Sequence, residues 1–253
     1  MRRPAFRRAR PPILALIAAW NGGPAPALPE GEPDLELVEA VERGVDDAEL
    51  GRATVQAASD RATLELGIAL LGRAGDERDV EVLETLARHA VLGPVAGAAL
   101  AAILDDEAQA WWRVGCVSAG TGKTEAVQRL AAVPGLPADA RGWLLRHGLE
   151  GIEPEAAALA CAHGGRLEDE LGGLVDDALL DGACRILSGL VRGGDMAAYE
   201  PGPRVAHAAL DLLADRPLTL TRAMAVEDLR GWAEDFEEHV VIAERCARLL
   251  GRA

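Results

Sequence analysis

The 253-residue chain is predicted to be all-α, built from stacked antiparallel helix pairs, and three observations predict it. Between residues 59 and 104 two helix-patterned segments meet at a short polar corner, Gly72-Arg73-Ala74-Gly75-Asp76-Glu77-Arg78, and a third follows. Ala62, Leu66, Ala69 and Leu70 share one face of the first at helical spacing. Val80, Leu83, Leu86 and Ala87 do so in the second, and Val95, Ala98, Ala99, Ala102 and Ile103 in the third. Apolar residues make up 49% of the chain but aromatics only 3%, so the core must be built from Ala, Leu and Val, small side chains that let helices approach closely. Period-two alternation, the mark of half-buried strands, is nearly absent.

In chain order, Arg2, Arg3, Arg7, Arg8 and Arg10 form a basic tail without an acid, followed by an apolar run at 13–20 and the small residues Ala25-Pro26-Ala27. This outline is that of a secretory signal, but the apolar run is short, and the adopted reading is a first helix docked onto those that follow, in a cytoplasmic protein. Gly22, Gly23, Pro24, Pro26, Pro29, Gly31 and Pro33 make 21–33 a linker, so 1–33 comprises tail, short helix and linker. Helices are then predicted over 35–41, 47–58, 60–73, 78–89 and 94–104. After the Asp105-Asp106-Glu107 corner they continue over 108–117, 124–133 and 138–147. Asp60 and Asp76 stand at cap positions.

The run Gly75-Asp76-x-Arg78-Asp79-Val80-x-x-Leu83-x-x-Leu86-Ala87, followed by the small-residue helix at 94–104, resembles a bacterial HEAT-like (armadillo-type) repeat. The resemblance implies an α-solenoid that serves as a binding scaffold. Comparable first helices begin near Asp47, Asp79 and Glu125, intervals of 32 and 46 residues, irregular but repeat-sized. Residues 34–150 are therefore assigned to HEAT-like repeats. Residues 151–253 are a divergent helical continuation, with helices over 155–162, 177–191, 204–214, 218–229 and 234–250 and an irregular loop at 193–203.

The formal net charge of −15 understates the asymmetry, because beyond the Arg-rich tail the chain carries −20. Such a body repels phosphate backbones, which makes nucleic acid an unlikely partner. No apolar run reaches the ~18–20 residues of a membrane span. Cys116, Cys161, Cys184 and Cys246 are scattered without a Cys-x-x-Cys spacing and read as buried free thiols.

The sharpest local motif is Ala119-Gly120-Thr121-Gly122-Lys123-Thr124, which has the Gly-Lys-Thr end of a phosphate-cradling loop. Val117 stands where the first glycine belongs, and neither a preceding strand nor a downstream acidic strand end is apparent. The segment is read as a connection between helices with Lys123 at the surface. Gly120, Gly122, Lys123 and Thr124 as a degenerate phosphate loop are the alternative.

Nine acids lie between Glu30 and Glu49, and Glu234, Asp235, Glu237 and Glu238 crowd the start of the predicted last helix, where acids favour the helix dipole. Asp235 and His239 share a helix face, but Phe236 occupies the place three before His239 where a di-metal helix needs Glu. Cys161 and His163, two apart on a helix, point to different faces. No cofactor or metal is assigned. Trp111 and Trp112 cannot face the same side of a helix, so one packs and the other is partly exposed, and exposed tryptophan is enriched at binding hot spots.

The function predicted is noncatalytic recognition of a basic protein or peptide, with an immunity or antidote role as one form of it. Partner-contact candidates are Trp111, Trp112, Tyr199, Glu234 and Asp235. The resemblance also admits enzymes, alkylpurine DNA glycosylases and phycobilin lyases, but a glycosylase needs a basic concave surface that the charge opposes. Nucleotide binding at 117–124 is the remaining alternative. The partner, the number of repeats and the oligomeric state are open at this point.

Overall fold

The computed structural model describes residues 12–21, 25–32, 35–43 and 47–251. Among them there are helices and turns and no strand, in keeping with the all-α prediction. The chain divides into two compact units, one ending at Ser118 and the other beginning at Ala119.

The first unit contains α1 (Ile13–Ala18), α2 (Leu35–Glu42), α3 (Ala48–Ala57), α4 (Arg61–Ala74), α5 (Val80–Ala87), α6 (Gly93–Leu104) and α7 (Glu107–Val117). Carboxylates start three of these helices by accepting an orphan N–H of the first turn: Asp47 from Leu50, Asp60 from Thr63 and Asp106 from Gln109, each at 2.9 Å. α3 packs on α4, α4 on α6, α5 on α6 and α7, and α6 on α7. The α6–α7 contact depends on Gly97, where a Cβ would lie 2.2 Å from the Trp111 ring.

The predicted polar corner is built as its sequence suggests. Asp76 accepts the Arg78 N–H at 3.0 Å, and Asp79 accepts the Asp76 N–H at 3.0 Å, closing a capping box over the 3-10 turn Glu77–Asp79. Asp79 is buried and takes both Nε and Nη2 of Arg52, at 2.7 and 2.8 Å, so α3 is clamped to the corner by a two-pronged charge-assisted bond.

The first helix docks as predicted. Ile13 and Ile17 are fully buried, the Ile13 N–H donates to the Ala58 carbonyl at 2.9 Å, and α1 packs against α3 and α5. Arg88 donates to the Trp20 carbonyl at 2.5 Å and lies 5.8 Å above its indole. His89 does more than the helix-end role its position suggests: its Nδ1 accepts from Val91, which leaves Nε2 as the donor to the Pro26 carbonyl at 3.0 Å and ties the linker down. The Arg-rich tail lies outside the described residues, as do Gly22, Gly23, Pro24 and Pro33 of the linker.

The second unit contains α8 (Gly120–Ala132), α9 (Ala138–His147), α10 (Ala158–Gly164), α11 (Leu167–Leu171), α12 (Asp177–Gly193), α13 (Gly202–Leu213), α14 (Leu220–Glu234) and α15 (Val240–Leu250). Its centre is α12, whose Leu179, Leu180, Ile186, Leu187 and Leu190 are buried and which packs on α9, α10, α13 and α14. At Gly182 a Cβ would fall 1.9 Å from the Leu145 carbonyl oxygen, so α12 and α9 meet at a separation only glycine permits. Arg222 of α14 is buried and donates to Asp181 at 2.6 Å, to Asp177 at 2.8 Å and to the Pro217 carbonyl at 3.0 Å, joining α14 to α12.

Two predicted elements need correction, and one helix was not predicted. Residues 193–203 are no irregular loop: Gly194 ends α12 in the left-handed conformation (φ 76°), a 3-10 turn spans Asp195–Ala197, and Met196 and Tyr199 are buried. The short helix α11 has no predicted counterpart. The single helix predicted over 234–250 is broken, because α14 runs on to Glu234 and α15 begins only at Val240.

Candidate functional site

The break between α14 and α15 forms the candidate site. The last turn of α14 closes with Asp235 and Phe236 donating their N–H groups to the Trp232 and Ala233 carbonyls, at 3.4 and 3.3 Å. Phe236 then turns extended (φ −134°, ψ 122°), and a 3-10 turn, Glu237–His239, leads into α15. This arrangement reverses the expectation for Glu234 and Asp235. They stand at the C-terminal end of α14, where the dipole is negative and disfavours carboxylates, and not in a first turn. Glu234 has the Arg230 guanidinium at 3.6 Å, an exposed pair of small worth.

Trp232 of α14 stacks on His239 with ring centroids 4.4 Å apart, and Phe236 lies 6.0 Å from Trp232 and 5.8 Å from His239. Phe236 is 45% exposed, Val240 54% and Val241 51%. Glu234, Asp235, Glu237 and Glu238 are all exposed around them. The corner thus offers an apolar, ring-rich surface with a rim of four carboxylates. The sequence reading found the acids and missed the rings, although Trp232 and Phe236 stand four apart and Phe236 and His239 three apart, the spacings that bring side chains together on or near a helix end.

The other candidates fall elsewhere. Trp111 is 4% exposed and Tyr199 is 2% exposed, so both are withdrawn as surface anchors. Burial pushes the Tyr199 phenol up to about 12. Trp112 is half-buried with its indole N–H turned inside and no acceptor for it among the described residues, which leaves its polar tip unavailable to a partner. In the acidic 30–49 stretch, Glu30, Glu32, Glu39, Asp47 and Glu49 are exposed, while Asp34 and Asp46 lie outside the described residues.

The phosphate-loop alternative fails on geometry. Gly120, Gly122, Lys123 and Thr124 form the first turn of α8 and not a cradle, and Thr124 donates its hydroxyl to the Gly120 carbonyl at 3.2 Å. Lys123 is buried, against the expectation of a surface lysine. Its ammonium donates to the His147 carbonyl at 2.9 Å and the Glu150 carbonyl at 2.7 Å and sits 5.6 Å above the Trp143 ring. It therefore fastens α8 to the end of α9, where a cation complements the helix dipole. A cavity of about 440 Å³ does open beside this turn, but Glu125 and Glu153 line it together with Ile152, a setting that repels a polyphosphate.

The cysteines divide. Cys161, Cys184 and Cys246 are buried, and burial pushes their thiols up to about 12, 12 and 11, so they are protonated and unreactive at neutral pH. Cys116 is exposed, which corrects the reading of all four as buried. His163 is exposed while Cys161 is not, so the two form no nucleophile and base. Among the described residues no three of His, Cys, Asp and Glu gather into a metal site, and no helix is long and apolar enough to cross a membrane. Comparison with protein-family models, curated proteins and solved structures finds no match to this chain.

Proposed function

We propose that the chain is a noncatalytic, cytoplasmic recognition protein of HEAT-like, α-solenoid character, which binds a basic and partly apolar protein surface or peptide at the α14–α15 corner. One observation carries this reading: exposed Phe236, Val240 and Val241, backed by the Trp232–His239 stack, share one short stretch of chain with four exposed carboxylates, Glu234, Asp235, Glu237 and Glu238. Desolvated rings supply affinity while the rim selects charge and speeds encounter. The repeat character is supported by packing within each unit, where most helices touch those one or two places along the chain, with α1 on α5 and α9 on α12 as exceptions. The buried, protonated thiols of Cys161, Cys184 and Cys246 suit a reducing compartment.

A fluorescein-labelled amphipathic peptide of alternating arginine and leucine tests the reading by anisotropy. Saturable binding that weakens in Phe236→Ser and in Glu237→Gln/Glu238→Gln, with no binding of the glutamate-leucine counterpart, is the expected result. Equal affinity for both peptides, or affinity untouched by the corner substitutions, contradicts it.

A further inference from the structure

The second unit also holds a concavity of opposite charge. It has a volume of about 330 Å³, and among its lining residues are Arg141, Arg166 and His163, with no acid. In a chain of 41 acidic and 26 basic residues, most arginines of the structure meet a carboxylate. Arg141 does not. Its Nη1 donates to the Leu136 carbonyl at 2.8 Å, its Nε–H is buried without an acceptor, and no acid among the described residues pairs with it. A partly buried guanidinium with unused donors is costly to leave uncompensated.

The surrounding backbone places this group deliberately. Gly164 seats the end of α10 against α8 so closely that a Cβ would lie 2.6 Å from the Ala131 Cα, and Gly135 (φ 68°) turns the chain beneath Leu136, whose carbonyl holds Arg141. Arg166 adopts the left-handed conformation (φ 55°), an uncommon backbone for a residue with a side chain. Its pair with Asp169 at 2.5 Å leaves both side chains more than half exposed, a contact weak enough to yield to a ligand. His163 packs edge-on to Tyr199 at 5.1 Å and its ring makes no hydrogen bond among the described residues, so its ring nitrogens face no partner there.

We propose that this cleft binds an oxyanion, the carboxylate or phosphate group of a small ligand, with Arg141 as the fork-shaped donor, Arg166 closing over it and His163 contributing a third N–H. The planar guanidinium presents parallel N–H groups that match the paired oxygens of either group. The site does not depend on the acidic corner, which selects the opposite charge.

Two-dimensional NMR titrations with inorganic phosphate and with acetate, at constant ionic strength balanced by chloride, test the proposal. Saturable shifts at Gly135, Gly164 and Arg166 are expected with at least one probe, and which probe saturates assigns the group as phosphate or carboxylate. Arg141→Gln and Arg166→Gln should each weaken that binding about tenfold, the loss of one charge-assisted bond, whereas Arg192→Gln should leave it unchanged. If Arg141→Gln fails to fold, Arg166→Gln and His163→Ala decide. Linear, unsaturable shifts with both probes, or unaltered affinity in the folded cleft variants, overturn the proposal.

Discussion

The Trp232 indole lies over the His239 imidazole with ring centroids 4.4 Å apart and planes 30° from parallel, bracing the end of α14 against the turn that opens α15. A stack of this kind adds about 0.5–1.5 kcal/mol beyond area burial. His239→Ala should lower stability by that amount in urea denaturation, whereas an unchanged midpoint would show that the rings meet without holding the corner.

Lys123 tests the structural role that replaced the phosphate-loop alternative. Lys123→Met keeps the aliphatic stem but strips the His147 and Glu150 carbonyls of a charged donor, so a loss of about 2 kcal/mol is expected. A change below ~0.5 kcal/mol, the range of ordinary surface substitutions, would contradict the burial argument.

Two glycines should respond with opposite signs. Gly182→Ala drives a methyl to 1.9 Å from the Leu145 oxygen and should cost about 2 kcal/mol or more, if the variant folds at all. Gly231→Ala, in the interior of α14 with nothing within 4 Å of a Cβ, should stabilise by about 0.5–1 kcal/mol through helix propensity. Thermal or urea unfolding of the pair checks both, and a destabilising Gly231→Ala would sink the second claim.

The corner of the first unit predicts an acid response. The Arg52 hydrogen bonds hold Asp79 below the ordinary carboxylate value, and the Arg78 side chain does the same for Asp76. Because folded values lie below unfolded ones, the stability they confer is present above the unfolded pKa of ~3.9 and is lost as pH falls through the folded values. Asp79→Asn should cost about 3 kcal/mol near neutrality, since it leaves Arg52 short of its buried partner, and should flatten the decline below pH ~4. An equally steep acid decline in the variant would contradict the assignment.

Much of this architecture was legible because local chemistry decides it. Asp60 and Asp76 announce helix starts through short side chains that reach first-turn N–H groups, and the buried face of α5, Leu83, Leu86 and Ala87, announces itself by spacing. In the apolar-rich α4 and α6 more than one face fits the period, and packing buries Leu64, Gly67, Ile68 and Leu71 in place of Ala62, Leu66 and Ala69, and Ala96, Gly97 and Leu100 in place of Ala98 and Ala102. What was not legible depended on tertiary packing. Lys123 reads as a solvated lysine until α9 brings two carbonyls to it, and Tyr199 reads as a loop residue until it is buried in the turn after α12. At the candidate site, the acids were visible in the sequence. Phe236 was hidden by a helical pattern that continues unbroken through 234–250, although the backbone turns extended there. The cationic cleft gave no linear signal, since Arg141 lies in α9, more than twenty residues before His163 and Arg166 at the end of α10.

The central claim is that the corner recognises a basic partner by charge and rings together. The most direct measurement is the association rate of the arginine-leucine peptide across a salt series, in the natural chain and in a variant with Glu234, Asp235, Glu237 and Glu238 replaced by their amides. Screening acts within ~8 Å at physiological salt, so the rate should fall steeply with salt in the natural chain and lie low and nearly flat in the variant. A rate indifferent to salt, or one that falls equally in both proteins, would contradict the account.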